Sequence, residues 1–247
     1  MRKNYRFILS YDGTRYFGWE HQPGTPMTIQ GKLEDVLSRL CGEAAEVIGA
    51  GRTDAGVHAK AMTANAFLET NLSEAEILAY MNRYLPEDIC VNDVSIVSDR
   101  FHSRYKATGK TYRYTCYYGP YKPVFNRKYV TVLDTKVDLE KMQKAAQYLV
   151  GTHDFASFCG NPHMRKSTVR TVDELTVKEK NGFYTFTVHG DGFLQNMVRI
   201  LVGTLIDAGK GKIKPEAVPE ILAAKDRTKA GPTMPPQGLM LIKVDYQ

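Results

Sequence analysis

The sequence predicts an α+β protein: a mixed, largely antiparallel sheet covered by helices and built as two pseudo-repeated β-α-β-β-α-β halves. Three observations lead there. Strand-like runs alternate with two amphipathic helical stretches per half, a strong hairpin signal sits at Asn181-Gly182, and no Pro-, Gly- or Ser-rich linker separates the halves. The boundary is expected near 105/106, within a continuous sheet. With 247 residues, 43% hydrophobic and 24% charged, the chain can bury one good core or two small ones.

The first half opens with Tyr5 to Asp12, apolar and aromatic enough for a strand, and turns at Asp12-Gly13. Ile29, Leu33, Val36, Leu37 and Leu40 then recur at helical spacing. Two strand-like runs follow, Val47 to Ala50 and Ala61 to Leu68, with GRTDAGVHA between them. Ser73 and Glu76 form a capping box for a helix that buries Ile77, Leu78, Met81 and Leu85 and must end near Pro86. Cys90 to Val97 closes the half as a strand.

The second half repeats this order without clear residue identity. Thr111 to Tyr118 alternates as a strand, and Asp138 caps a helix with Leu139, Met142, Ala145, Ala146 and Leu149 on one side. Leu175 to Lys178 and Tyr184 to His189 flank the hairpin turn. A helix from about Asn196 to Ala208 is expected to end at Gly209 as its C-cap. A short helix follows Pro215, and Leu239 to Tyr246 forms the last strand.

Composition narrows the class. No run of about 18 apolar residues exists and the start lacks a signal-peptide core, so a cytoplasmic protein is expected, with no membrane contact. Cys41, Cys90, Cys116 and Cys159 lie far apart, with no zinc spacing and no disulfide framework, and read as reduced thiols. The net charge of +6 is unevenly spread. Arg100 to Lys128 holds eight Lys or Arg, eight Phe or Tyr and no acid, while the other 25 basic residues face 27 acidic ones. Basic groups interleaved with aromatics suit a nucleic acid, where stacking contributes roughly 1–3 kcal/mol per base; an edge strand with solvated lysines fits the composition as well.

The stretch from Gly49 to Gly56 reads GAGRTDAG. A dinucleotide fingerprint needs glycine at position 54, and a phosphate loop needs Lys and Ser or Thr after Gly56, where Val57 and His58 stand, so neither pattern fits. What remains is a glycine-rich loop that can expose Asp54 and let Arg52 reach a phosphate, or one in which Asp54 merely caps a turn.

GAGRTDAGVHA closely resembles the signature of the tRNA pseudouridine synthase A family. Other landmarks agree in order: YDGTRYFGWEHQ, FHSRYKATGKTYRY, FASF, GFLQNMVRILVGTL and AKDRTKAGPTMPPQGLMLIKVDY, so the resemblance spans nearly the whole chain. It implies isomerisation of uridine to pseudouridine at positions 38, 39 and 40 of the tRNA anticodon stem-loop, by a homodimer whose tRNA spans both subunits. Asp54 matches the catalytic aspartate, a nucleophile, and Arg199 its basic partner. Tyr112 matches the aromatic that packs on the target uracil, and Arg52 and Arg104 match arginines that engage RNA. Cys159 to Thr168 aligns with no family pattern, and Arg165 and Lys166 there read as part of a solvated loop.

The residue types suit such a reaction. Moving the glycosidic attachment from N1 to C5 conserves mass, so no cofactor and no metal is expected. A carboxylate can attack C1′, attack C6, take the 2′ proton or stabilise charge on the sugar, and each role needs the anion. An arginine near 4 Å favours that anion by about 4 kcal/mol at an effective dielectric of 20. The residues alone also admit an RNA-binding protein of two RRM-like halves or a small-molecule hydrolase. The RRM aromatic signature is missing from Lys110 to Tyr118, and no second catalytic carboxylate carries a motif.

Overall fold

A computed structural model describes residues 2–161 and 163–247. Pro162, within the unaligned loop, lies outside them. Tertiary contacts divide the chain into two units, 1–108 together with 241–247, and 109–240. Ten strands and five α-helices are present among the described residues, and their pairing is largely antiparallel, so the fold is α+β.

In the first unit, β1 (Lys3–Tyr11) leads to α1 (Ile29–Cys41), then β2 (Ile48–Gly49), β3 (His58–Leu68), α2 (Glu74–Tyr84) and β4 (Ile89–Val97). This is the β-α-β-β-α-β order expected from the pattern. β1 is central, antiparallel to β3 on one side and β4 on the other, and β2 pairs with β3. Tyr5, Phe7, Leu9 and Tyr11 alternate along β1 and are nearly fully buried, as a period-two strand with one face in the core requires. Ile29, Leu33, Val36 and Leu37 form the buried stripe of α1. Both bonds of the Ser73–Glu76 capping box form, and Ile77 and Met81 carry the buried side of α2.

The second unit holds β5 (Ala107–Tyr117), β6 (Thr131–Val132), α3 (Leu139–Gln147), β7 (Gly151–Asp154), β8 (Val169–Lys180), β9 (Phe183–Gly190), α4 (Met197–Gly209) and α5 (Val218–Ala224); the last strand, β10 (Leu239–Tyr246), returns to the first unit from Leu241 onward. β9 is antiparallel to β5 and β8, β7 is antiparallel to β8, and β6 runs parallel to β5. Asn181 (φ 54°) and Gly182 (φ 81°) both take left-handed backbone, the two-residue turn that matches strand twist. Asp138 caps α3 through Lys141 N–H. β6 and β7 are additions to the expected order. They span two and four residues, too short for alternation to show.

The end of α4 differs from expectation. Gly209 lies inside the helix and is buried, because a Cβ there would come within 2.9 Å of Met142 Cγ and 3.0 Å of Val137 Cβ. The left-handed turn falls at Gly211 (φ 75°), after Lys210 as the C-cap. The glycine that close packing demands thus precedes the one that terminates the helix.

Candidate active site

Asp54 stands on the loop between β2 and β3, and that loop is shaped by backbone contacts. Trp19 N–H donates to Thr53 O (3.0 Å), Gly56 N–H to Tyr16 O (3.2 Å) and Val57 N–H to Asp54 O (3.1 Å), while Tyr11 and Thr53 hydroxyls pair at 2.9 Å. The last of the backbone bonds closes a turn over residues 54–57, in which Gly56 supplies positive φ (78°). Gly13 and Gly18 let the chain approach: a Cβ at Gly13 would lie 2.0 Å from Val57 O, and one at Gly18 2.6 Å from Thr53 O. Thr53 and Val57 are buried and Asp54 between them is half-buried, so its carboxyl group is presented from a frame that cannot shift without breaking several bonds.

His58, which closes the motif, is buried. Its Nδ1 lies 3.0 Å from the Gly13 backbone nitrogen and 3.2 Å from Asp12 Oδ1, and Asp12 also accepts from Thr14 N–H at 2.9 Å. His58 holds the Asp12–Gly13 turn against the loop.

Arg52 points outward and pairs with Glu20 at 2.9 Å. With side chains 66% and 48% exposed, the pair contributes about 0–1 kcal/mol and can be exchanged for a phosphate. Arg104 is exposed on a turn whose base is fixed. Ser103 N–H donates to Asn65 Oδ1 (2.9 Å), Tyr246 Oη donates to Ser103 O (2.7 Å), and Asn65 in turn donates to Asn4 Oδ1 (3.1 Å). Asn4, Asn65 and Ser103 are fully buried, so these bonds form in a medium where losing one is costly.

In the second unit, Tyr112 lies on β5 opposite Val188 and is only 8% exposed, its ring edge-on to Phe193 at 5.3 Å. Tyr114, two residues along the same face, donates to Pro235 O at 2.6 Å, and burial raises its phenol pKa above the ordinary range. Lys110 shares the parity of Tyr112, whereas Arg113 points from the opposite face and is exposed.

Arg199 sits in the first turn of α4, half-buried. Its Nε donates to Met234 O (2.6 Å) and its Nη1 to Asn196 Oδ1 (2.9 Å), two directions that set the guanidinium plane. Met234 is held in turn. Met234 N–H reaches back to Arg199 O at 3.3 Å, and Gly231 N–H donates to Thr204 Oγ1 at 2.9 Å. Arg227 ties the carbonyls of Ala230 (3.4 Å) and Gly231 (2.9 Å) from the other side. The helix receives this strap closely: a Cβ on Gly203 would fall 1.9 Å from Pro232 O. The residues GPTMPPQG therefore lock an arginine in place.

The structure thus puts Arg52 and Asp54 on one loop, Arg104 on a separate rigid turn, and Tyr112 and Arg199 in the other unit. Arg165 and Lys166 are exposed on a loop, as expected. Phe193, Asn196 and the Met234 carbonyl were not anticipated; the first two lie within GFLQNMVRILVGTL, where nothing in spacing or residue type marks them.

A family described as tRNA pseudouridine synthase matches this sequence over residues 8–106 and 145–247. The chain belongs to that family. The match includes Arg52, Asp54, Arg104 and Arg199, and leaves out 107–144, where Tyr112 lies. The protein named tRNA pseudouridine synthase A of Bacillus sp. (strain KSM-64) is 47% identical over 228 residues, covering 92% of this chain and 93% of its own length. That of Clostridium kluyveri is 44% identical over 244 residues, covering 99% and 100%.

Proposed function

We propose that this pseudouridine synthase acts on uridines 38, 39 and 40 of the tRNA anticodon stem-loop, with the Asp54 carboxylate at the reacting sugar and base. The observation that carries this reading is the framed Gly49–Val57 loop, which holds Asp54 half-buried beside an exposed Arg52. In the reaction the N1–C1′ bond breaks, the base turns, C5 joins C1′, the C5 proton departs and N1 gains one. Atoms balance within the substrate and bound water. Asp54 enters the reaction as the anion, whether it bonds to the sugar or base, takes the 2′ proton or stabilises positive charge at C1′.

Arg199 acts as the cationic partner of that anion. Its guanidinium is already oriented by Met234 and Asn196, so little reorganisation accompanies reaction. A uridine in a stem must leave the stack first, at a cost of a few kcal/mol. Tyr112 offsets part of that by lying against the uracil; with 8% exposure, its ring becomes accessible only as the base enters. Arg52 exchanges Glu20 for a phosphate, and Arg104 grips a second one from its fixed turn.

The tRNA is bound by a homodimer in the cytoplasm. No helix among the described residues is long and apolar enough to cross a membrane. The test is incubation with uridine-labelled tRNA without added cofactor, followed by mapping of pseudouridine. Conversion confined to positions 38–40 is expected. Conversion elsewhere, or binding without conversion, contradicts the reading.

A further inference from the structure

We propose that Asn196 is the positioning residue for Arg199, and that the start of α4 is built around that task at the expense of the helix itself. The inference rests on Arg199 being the basic partner in the site. Each local feature of Asn196 is unfavourable when taken alone. Its backbone is left-handed (φ 60°, ψ 4°), a region that costs any residue with a Cβ something, though asparagine less than most. It occupies the N-cap, where asparagine ordinarily accepts from an N–H of the first turn, yet it makes no such bond. It also requires a glycine opposite: a Cβ on Gly160 would lie 2.6 Å from Asn196 Nδ2 and 3.1 Å from its Cβ, while Gly160 N–H donates to Gln195 O at 2.8 Å.

One contact takes up the side chain that the helix start does without. Asn196 Oδ1 accepts from Arg199 Nη1 at 2.9 Å, three residues along, while Met234 O accepts from Nε at 2.6 Å. An amide oxygen can serve the guanidinium or the helix start, and here it serves the guanidinium. The plane of an arginine decides whether it meets a carboxylate in a two-bond geometry or only as a diffuse charge. Local rules broken together at one residue, without gain to the helix, point to a site that needs the exception. Asn196 touches Arg199 and acts through it.

Glycine and alanine separate this role from a structural one. Asn196→Gly removes the hydrogen bond but also the backbone strain, so Tm should equal or exceed that of the parent while kcat on tRNA falls about 10–100-fold with KM little changed. Asn196→Ala removes the bond and keeps the strain, so kcat should fall equally and Tm should drop. In an Arg199→Ala background, Asn196→Gly should cause no further loss of rate. Asn196→Gly at the parental kcat, or a multiplicative loss in the Arg199→Ala background, overturns the inference and leaves Arg199's own role standing. Arg199→Ala at full rate removes that role, and with it any task for Asn196.

Discussion

The Asp54 loop and the start of α4 carry the two charges of the proposed site, and they reach their geometry by opposite means. The loop is shaped by backbone: glycines at 13, 18 and 56, three main-chain bonds, and buried Thr53 and Val57 as anchors. Arg199 is shaped by side chains and by distant sequence, since its Nε partner comes from a strap 35 residues downstream that is itself fixed by Arg227 and Thr204. A loop made of glycines announces itself in sequence because few other residues can adopt its conformation. An oriented arginine does not, because one orienting atom is a backbone carbonyl that any residue type can supply and the other is an Asn196 oxygen whose residue type does not reveal its partner.

The largest effect expected is at the carboxylate. Asp54→Asn keeps shape and removes the anion, and should lower single-turnover conversion by at least about 10³-fold while Tm and tRNA affinity hold. A parallel loss of binding and melting transition would make Asp54 a turn residue. Next comes the frame. Gly18→Ala meets Thr53 O at 2.6 Å and loses a φ of 95°, so it should destabilise by about 1–3 kcal/mol and, by moving the loop, cut kcat on the order of 10²-fold. Gly24 shares the positive φ (83°) but has nothing within 4 Å, and its alanine variant should lose stability alone. Equal kcat in the two variants would break the claim that the loop is a positioned frame.

Tyr112 tests the less exposed side of the comparison. Tyr112→Phe keeps the ring, so binding should hold if stacking is its only task, whereas Tyr112→Ala should lose roughly 1–3 kcal/mol of tRNA affinity. If the phenol also helps remove the C5 proton, Phe lowers the rate by about 10²–10⁴-fold with binding unchanged, and a Phe variant at full rate dismisses that role. The smallest effects belong to the surface. Charge reversal at Arg104 or Lys106 should flatten the salt dependence of tRNA binding by about one unit of slope per lost phosphate contact. Arg113, on the opposite face of β5 from Tyr112, should be quieter than Lys110. Identical slopes in all four variants would place the RNA elsewhere.

These contrasts also explain what could be read from sequence. The first unit was legible almost element by element, because β1, α1 and α2 carry clean periodicity and Ser73 and Glu76 mark a helix start unambiguously. In the second unit the hairpin and α3 were equally plain. α4 was harder, since eleven of its thirteen residues are buried and its glycines serve packing, which made Gly209 look like a terminator. β6 and β7 are too short to show a period. The glycines made the Asp54 loop visible but left Asp54 open between a site and a turn cap until the family resemblance was added, whereas Asn196 read only as the start of a helix, and its contact with Arg199 shows in the structure alone.

Whether the two charges, built by unrelated means, work as one unit is read from a double-mutant cycle. Single-turnover conversion of tRNA uridine is measured for the parent, Asp54→Asn, Arg199→Ala and the double variant. If the pair acts together, the double variant should be about as slow as Asp54→Asn alone, because removing the second member takes away nothing the first had left. Losses that multiply would show that Arg199 contributes independently of the Asp54 carboxylate, and would contradict the account.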